Sequence, residues 1–489
     1  MKTMHKWVAL LILAACTAGQ PAYAQQGYDI GVTIRSFQGQ ELYLAYYFGD
    51  KQYLKDTAAA ENGVFRFQGG EALPGGMYLV VMPPKNNYFE IVIGEDQQFT
   101  LETDTLDFVK SMKVKGSEEN DLFFQDLRYL AAKRAEITAL SEQGKSLAPG
   151  SPEAAANKEA AGRIDQEVKA YRKDFIARHP SLFYTKVLTS MQEPEIPEPP
   201  KDASGKVLDS LFQFKYYRAH YFDHLDFADD RMLRTPIMYN KVSTYLERLT
   251  HPHPDSLCKA IDYIAAKSRA NDEVYQFFVS NLLNKYANSK IMGHDAVYVC
   301  MVERYYMNGK AWWADSALVA KMTEEAYRRS PTLLGRPAPN FRAQDPSGAY
   351  QSVNGVQAEY LALYFWDYDC GHCKTITPKL AEAFRQYQGK NVKLIAVSIN
   401  GDVEVWKKKI AEYGLDQPHI INVQDHARRS GFDGMYDIRS TPRLFLLDKE
   451  KKIMAKQIDP DQLQEILNPK LGLPVPEKKA VSGEETEEE

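Results

Sequence analysis

The sequence predicts a multi-domain chain: a small antiparallel β domain, then a mostly α-helical domain, then an α/β domain. Three observations carry this. Apolar residues alternate in short segments from Tyr28 to Lys115. They recur at three- and four-residue spacing from about Asn120 to Pro331. From Leu334 onward, buried-strand runs alternate with amphipathic helices. The 489 residues also exceed what one hydrophobic core organises, so about three domains are expected. The expected boundaries are a signal peptide at 1–24, the β domain at 25–118, the helical domain at 119–332, the α/β domain at 333–472 and a disordered acidic tail at 473–489.

The N-terminus reads as an export signal. Lys2, His5 and Lys6 form a basic stretch, and Trp7 to Ala15 form a short apolar core. Two processing sites compete. Ala22-Tyr23-Ala24 is a small-x-small site with cleavage before Gln25, the preferred reading. Leu13-Ala14-Ala15-Cys16 resembles a bacterial lipobox, which would make Cys16 a lipidated N-terminus. Either route places the mature protein in a periplasm or cell envelope. A net charge of −5 leaves no electrostatic footprint for nucleic acid. No apolar run reaches the ~18 residues that cross a bilayer, so a membrane partner is expected only if Cys16 carries lipid.

In the first region Ile30, Val32 and Ile34 face one way. Phe65 with Phe67, then Phe89, Ile91 and Ile93, repeat the alternation. Asn62-Gly63 before "VFRF" signals a hairpin, because both residues tolerate positive φ. No Cys, His or carboxylate cluster stands at ligand spacing here, and the region reads as a binding or packing module.

In the second region "DLFFQDLRYLAAKRAEITAL" and "EVYQFFVSNLLNKYA" are helical in period. "SEQGKSLAPGSPEAAANKEAA" is polar and small and "EPEIPEPPKDASGK" is Pro-rich, so both are expected as exposed loops. His220 and His224 are four apart and could chelate a metal. With no third ligand and no Glu-His frame they read as a helix face, and no metal site is assigned. Cys258 and Cys300 fall on predicted helices and read as buried free thiols, with pairing as the alternative.

In the third region "YLALYFW" is the nearly continuous apolar run of a buried parallel strand. "TPKLAEAFRQYQG" follows as a helix with Leu380, Phe384 and Tyr387 on one face. "VKLIAVSI" is a strand, and "DVEVWKKKIAEYG" a helix capped by Asp402 and ended by Gly414. "HIINV", "RLFLLD" and "KIMAKQI" are further strands, and "DPDQLQEIL" closes as a helix with Pro460 in its first turn.

Cys370-Gly371-His372-Cys373 falls between the first long strand and its helix. A zinc knuckle needs a second CxxC or a His pair in this region, and none is present. A redox pair needs one thiol at a helix N-terminus, where the dipole and free N–H groups favour a thiolate, and a second one turn inside to resolve the mixed disulfide. This spacing supplies both: Cys370 as nucleophile and Cys373 as resolving thiol. His372 between them is read as a modulating imidazole whose charge would favour the Cys370 thiolate. A thiolate so stabilised makes the disulfide a better oxidant.

Residues from Gly335 to about Leu471 resemble a thioredoxin-fold domain of the TlpA/ResA-like group. The resemblance rests on "GRPAPNF", "YFW" before the cysteines, CGHCK, Pro378 five residues after Cys373, and the Thr441-Pro442 dipeptide of "DIRSTPRLFLLD". It implies a thioredoxin-like fold, a redox-active Cys370–Cys373 disulfide, no cofactor, and protein thiols or disulfides plus a redox partner as its partners. It also implies that Pro442 is cis, with Thr441 beside it on a loop that pairs with extended substrate. Trp366 matches an aromatic position of the family. Three positions depart from it. Asp369 stands where Trp is frequent and would oppose the thiolate. Tyr364 replaces thioredoxin's buried acid, and Ile376 replaces the glutamate of ResA-like proteins, so no usual proton acceptor serves Cys373. The CGHC sequence is that of protein disulfide isomerase and suggests a potential nearer about −180 mV than about −270 mV, with Asp369 pulling the other way.

The leading expectation is an exported thiol-disulfide oxidoreductase, with its direction as reductase, oxidase or isomerase left open. The alternative is a periplasmic binding or scaffold protein with a catalytically secondary thioredoxin-like domain. Copper handling and peroxidase chemistry rank lower: no further metal ligand accompanies the pair, and a peroxidatic site needs one Cys with a Thr or Ser on the same segment.

Overall fold

A computed structural model describes residues 27–476. The expected signal peptide, Cys16, and residues 477–489 of the expected tail lie outside the described residues. The chain divides between Ser243 and Thr244 into two compact units.

Among the described residues the first unit holds eight strands: β1 (Tyr28–Arg35), β2 (Glu41–Phe48), β3 (Lys51–Glu61), β4 (Val64–Gly69), β5 (Gly76–Met82), β6 (Asn87–Ile93), β7 (Gln98–Asp104) and β8 (Lys113–Lys115). They form one sheet in the order β6-β5-β2-β3-β4-β1-β7-β8. The alternating residues Ile30, Val32, Phe65, Phe67, Phe89 and Ile91 are buried. Asn62 and Gly63 have φ of 52° and 80° between the paired Glu61 and Val64, the two left-handed residues of a tight hairpin. The sheet is not wholly antiparallel. β1 runs parallel to β7, since five intervening strands give the chain the long crossover that a parallel pair requires.

Helix Glu118–Gly144 starts at Ser117, whose hydroxyl accepts from Asn120 N. The Asn120 side chain then accepts from Val92 N at 2.9 Å and donates to Val92 O at 2.7 Å, fastening the helix to β6. The polar stretch after it is less of a loop than its composition suggests. Helix Pro152–Arg178 begins inside it, because Ser151 caps it, proline is preset at its first position and alanine is the strongest helix former. Helix Phe212–His220 ends at His220, so His224 is not on it; His220 stacks on Tyr216 and bonds Asp223 at 2.6 Å.

The second unit takes the later helices Pro254–Ser268, Asp272–Ala287, His294–Met301 and Ser316–Arg329 together with the C-terminal α/β region. Here the expected free thiols need correction. Cys258 and Cys300 form a disulfide with Cα atoms 6.6 Å apart. Their helices pack side by side through buried faces, which brings together residues 42 apart in sequence.

The C-terminal sheet comprises β9 (Arg342–Gln344), β10 (Tyr350–Ser352), β11 (Tyr360–Trp366), β12 (Val392–Ser398), β13 (Ile420–Gln424), β14 (Arg443–Leu447) and β15 (Ile453–Lys456), in the order β10-β9-β13-β12-β11-β14-β15. β11 is central, parallel to β12 and antiparallel to β14. Ala362, Tyr364 and Trp366 enter one core with Leu380, Phe384, Trp406 and Leu463. Leu361, Leu363 and Phe365 enter the opposite core with Phe341, Phe432 and Phe445. Burial on both faces is why this strand is apolar throughout. Its C-terminal end is where the chain turns into helix Gly371–Arg385, the edge of an open α/β sheet at which sites form.

Candidate redox-active site

A polar knot shapes the turn out of β11. Asp367 Oδ1 accepts from Asp369 N and from Asn400 Nδ2, both at 2.7 Å, and Cys370 N donates to Asp367 O at 3.2 Å. Asn400 Oδ1 in turn accepts from Tyr368 N at 3.0 Å. The turn ends with Cys370 as the cap of helix Gly371–Arg385.

The two thiols differ in environment. Cys370 is half-buried and Cys373 fully buried, and both are unpaired, so the expected redox couple is in its dithiol state. The Cys373 backbone N–H pulls the Cys370 thiol below the usual range for cysteine, aided by the Cys373 and Thr441 side chains and the His372 backbone N–H, against opposing burial. Burial pushes Cys373 the other way, to about 11, although Asp367 N donates to its sulfur at 3.5 Å. One thiol is therefore set up to attack and the other to remain protonated.

The remaining predicted residues divide into those that touch this pair and those that shape its surroundings. Cys370 Sγ donates to Thr441 O at 3.4 Å, and the Thr441-Pro442 bond is cis. His372 is exposed, and it favours the Cys370 thiolate through its backbone N–H. With Thr375, Ile376, Pro442 and Leu444 it lines a groove of about 410 Å³. The Asp369 carboxylate accepts from Asn400 Nδ2 at 3.2 Å. Trp366 is wholly buried in the core that holds Cys373, against Tyr413. Pro378 is exposed within the helix, one turn beyond Lys374, whose carbonyl it leaves without the usual N–H donor. At the position of thioredoxin's acid, the Tyr364 hydroxyl bonds Thr377 Oγ1 at 2.8 Å, and burial pushes that phenol far above its usual range.

Comparison with known proteins agrees with this geometry. A thioredoxin-like family model matches residues 357–453. The thiol-disulfide oxidoreductase ResA of Bacillus anthracis is 28% identical over 134 residues, covering 27% of this chain and 74% of that protein. The C-terminal domain is a TlpA/ResA-like thioredoxin fold. Human nucleoredoxin is 27% identical over 114 residues, 23% of this chain and 25% of its own length. A solved domain of a possible thiol-disulfide isomerase from Cytophaga hutchinsonii is 38% identical, covering 29% of this chain and 95% of that one, with a TM-score of 0.27. Upstream of the thioredoxin fold, two domains of unknown function match residues 28–123 and 161–328.

This arrangement can support thiol-disulfide exchange. A Cys370 thiolate would attack one sulfur of a disulfide, and the other sulfur would leave as a thiolate. Cys373, giving its proton to that released thiolate, would attack Cys370 Sγ in the mixed disulfide, expelling the second thiolate and closing a Cys370–Cys373 disulfide. Asn400 and Asp367, which brace the thioredoxin-fold turn, were not among the residues singled out from sequence. Their signal was present: polar residues directly after two apolar strands, at the sheet edge where α/β sites form.

Proposed function

We propose that this protein is an exported thiol-disulfide oxidoreductase that exchanges disulfides with protein substrates through Cys370 and Cys373. The observation that carries the reading is the opposed tuning of the two thiols, Cys370 lowered at a helix N-terminus and Cys373 raised by burial to about 11. The Thr441 carbonyl, 3.4 Å from Cys370 Sγ, and the groove lined by Pro442 offer an extended substrate a place next to the attacking sulfur. The ResA relatives are themselves named thiol-disulfide oxidoreductases.

Export to a periplasm or cell envelope is supported by the basic and apolar N-terminal pattern, with cleavage before Gln25 or lipidation of Cys16. The Cys258–Cys300 disulfide suits an oxidising compartment. A separate redox partner resets the pair after each turnover.

The test is exchange with a disulfide-bonded protein such as insulin, in the presence of dithiothreitol. Cys370→Ser abolishes exchange, and Cys373→Ser, mixed with the disulfide-bonded protein without dithiothreitol, accumulates a mixed disulfide that reducing agent then releases. Unchanged turnover in Cys370→Ser would remove the reading.

A further inference from the structure

The substrate groove at Pro442 does not end at the thioredoxin-fold sheet. Gln457, Ile458 and Gln462 form a wall shared with a second cavity of about 390 Å³, whose far side is supplied by the helical segment of the same unit. The charges around this second cavity are unbalanced. Its carboxylates are already occupied: Glu325 by Arg329 and Arg439, Asp437 by Arg439, and Asp295 by Lys456. Two lining cations, Arg443 and Lys290, have no carboxylate partner among the described residues.

Arg443 is the more informative. It follows Pro442 directly and opens β14, held by one hydrogen bond from Nη2 to Ser440 Oγ at 2.7 Å. Its Nε is buried without a hydrogen-bond partner among the described residues, and Asp295 Oδ1 across the cavity likewise lacks a donor. The Arg443 guanidinium lines the cavity with no acidic partner of its own among the described residues, and a carboxylate is the group that matches its fork best. An extended chain advances ~3.3–3.6 Å per residue. A substrate strand lying along Thr441 therefore brings a residue two or three positions from its cysteine level with Arg443.

The geometry points to an acid-reading subsite: the cavity walled by Arg443 and Lys290 takes an Asp or Glu side chain close to the substrate cysteine. Substrates with acidic residues flanking the reactive cysteine are preferred. This rests on the exchange reading above and names the substrate class for the same site.

The test uses short synthetic peptides, each with one disulfide loop, differing only in Glu, Gln or Lys at the second or third residue on either side of the attacked cysteine. The readout is the ratio of kcat/KM values for exchange by the full mature chain. The Glu peptide is expected to exceed the Gln peptide by about tenfold at low salt, with the gap closing as salt screens the contact. Arg443→Glu should reverse the ranking. Lys290→Glu, on a different element, should narrow it and decides the matter if Arg443→Glu does not fold. If Glu and Gln peptides are exchanged equally fast, the subsite is overturned while the exchange reading stands. If no peptide is exchanged, both fall.

Discussion

The Cys370 thiol donates to the Thr441 carbonyl at 3.4 Å, across 71 residues of sequence. This contact joins the two halves of the site, the nucleophile on the helix after β11 and the cis-proline loop before β14. In the proposed exchange, a disulfide attacked by Cys370 would lie against Thr441.

The first prediction concerns the separation of the two thiols. In Cys373→Ser, alkylation of Cys370 by iodoacetamide should follow a thiolate titrating below the ordinary cysteine value. In Cys370→Ser, Cys373 should resist the reagent until pH approaches about 11. Equal reactivity of the two thiols at neutral pH would contradict it.

The same tuning predicts a pH dependence of stability in the dithiol protein. The pKa of Cys373 is raised in the folded state, so its folded form binds a proton that the unfolded form has lost between about pH 9 and about pH 11. Its contribution is complete below that window and lost as pH rises through it. Urea titrations should show a decline across the window that is shallower in Cys373→Ser.

Resolution by a thiol this basic should limit turnover. Ile376 packs beside the core that holds Cys373, at the position of the family's glutamate. Ile376→Glu should supply a proton acceptor and speed the second step of exchange near neutral pH, on the order of a hundredfold at the low end of general-base help. Rapid-quench measurement of mixed-disulfide decay would check this, and an unchanged decay would contradict it.

Tyr364 is a structural substitute for the family's acid and takes no proton. Tyr364→Phe should leave kcat/KM for exchange within about twofold. It should cost about 1–2 kcal/mol of stability, because the buried Thr377 hydroxyl loses its partner. A large loss of exchange without a loss of stability would give the phenol a chemical role.

In the first unit, burial raises the carboxyl of Asp126, while the Tyr184 hydroxyl donates to Asp126 Oδ2 at 2.6 Å. Asp126→Asn keeps an acceptor and removes the buried charge, so it should be near neutral or stabilising at pH 7. Asp126→Ala should cost about 1–3 kcal/mol by leaving the Tyr184 hydroxyl unpaired. Chemical denaturation of both variants distinguishes the two effects.

How much of this was legible in sequence depended on how local the cause was. β11 declared itself because burial on both faces demands seven apolar residues in a row, and the Asn62-Gly63 hairpin because its turn needs two left-handed residues. The cysteine pair was legible because its chemistry is set by position on one helix. Long-range causes were hidden. Nothing local in Cys258 or Cys300 records that their helices pack side by side. The parallel pairing of β1 with β7 is a property of topology, and the helix from Pro152 was masked by small residues that suit an exposed helix as well as a loop. Arg443 reads as an ordinary strand residue until the helical segment is placed across from it.

The most direct test of the central claim is a redox titration of the purified protein in glutathione buffers. A cooperative two-electron transition should appear, closer to about −180 mV than to about −270 mV because the Cys370 thiolate is stabilised, and it should vanish in both Cys370→Ser and Cys373→Ser. A protein that exchanges no electron pair, or whose transition survives Cys370→Ser, would contradict the account.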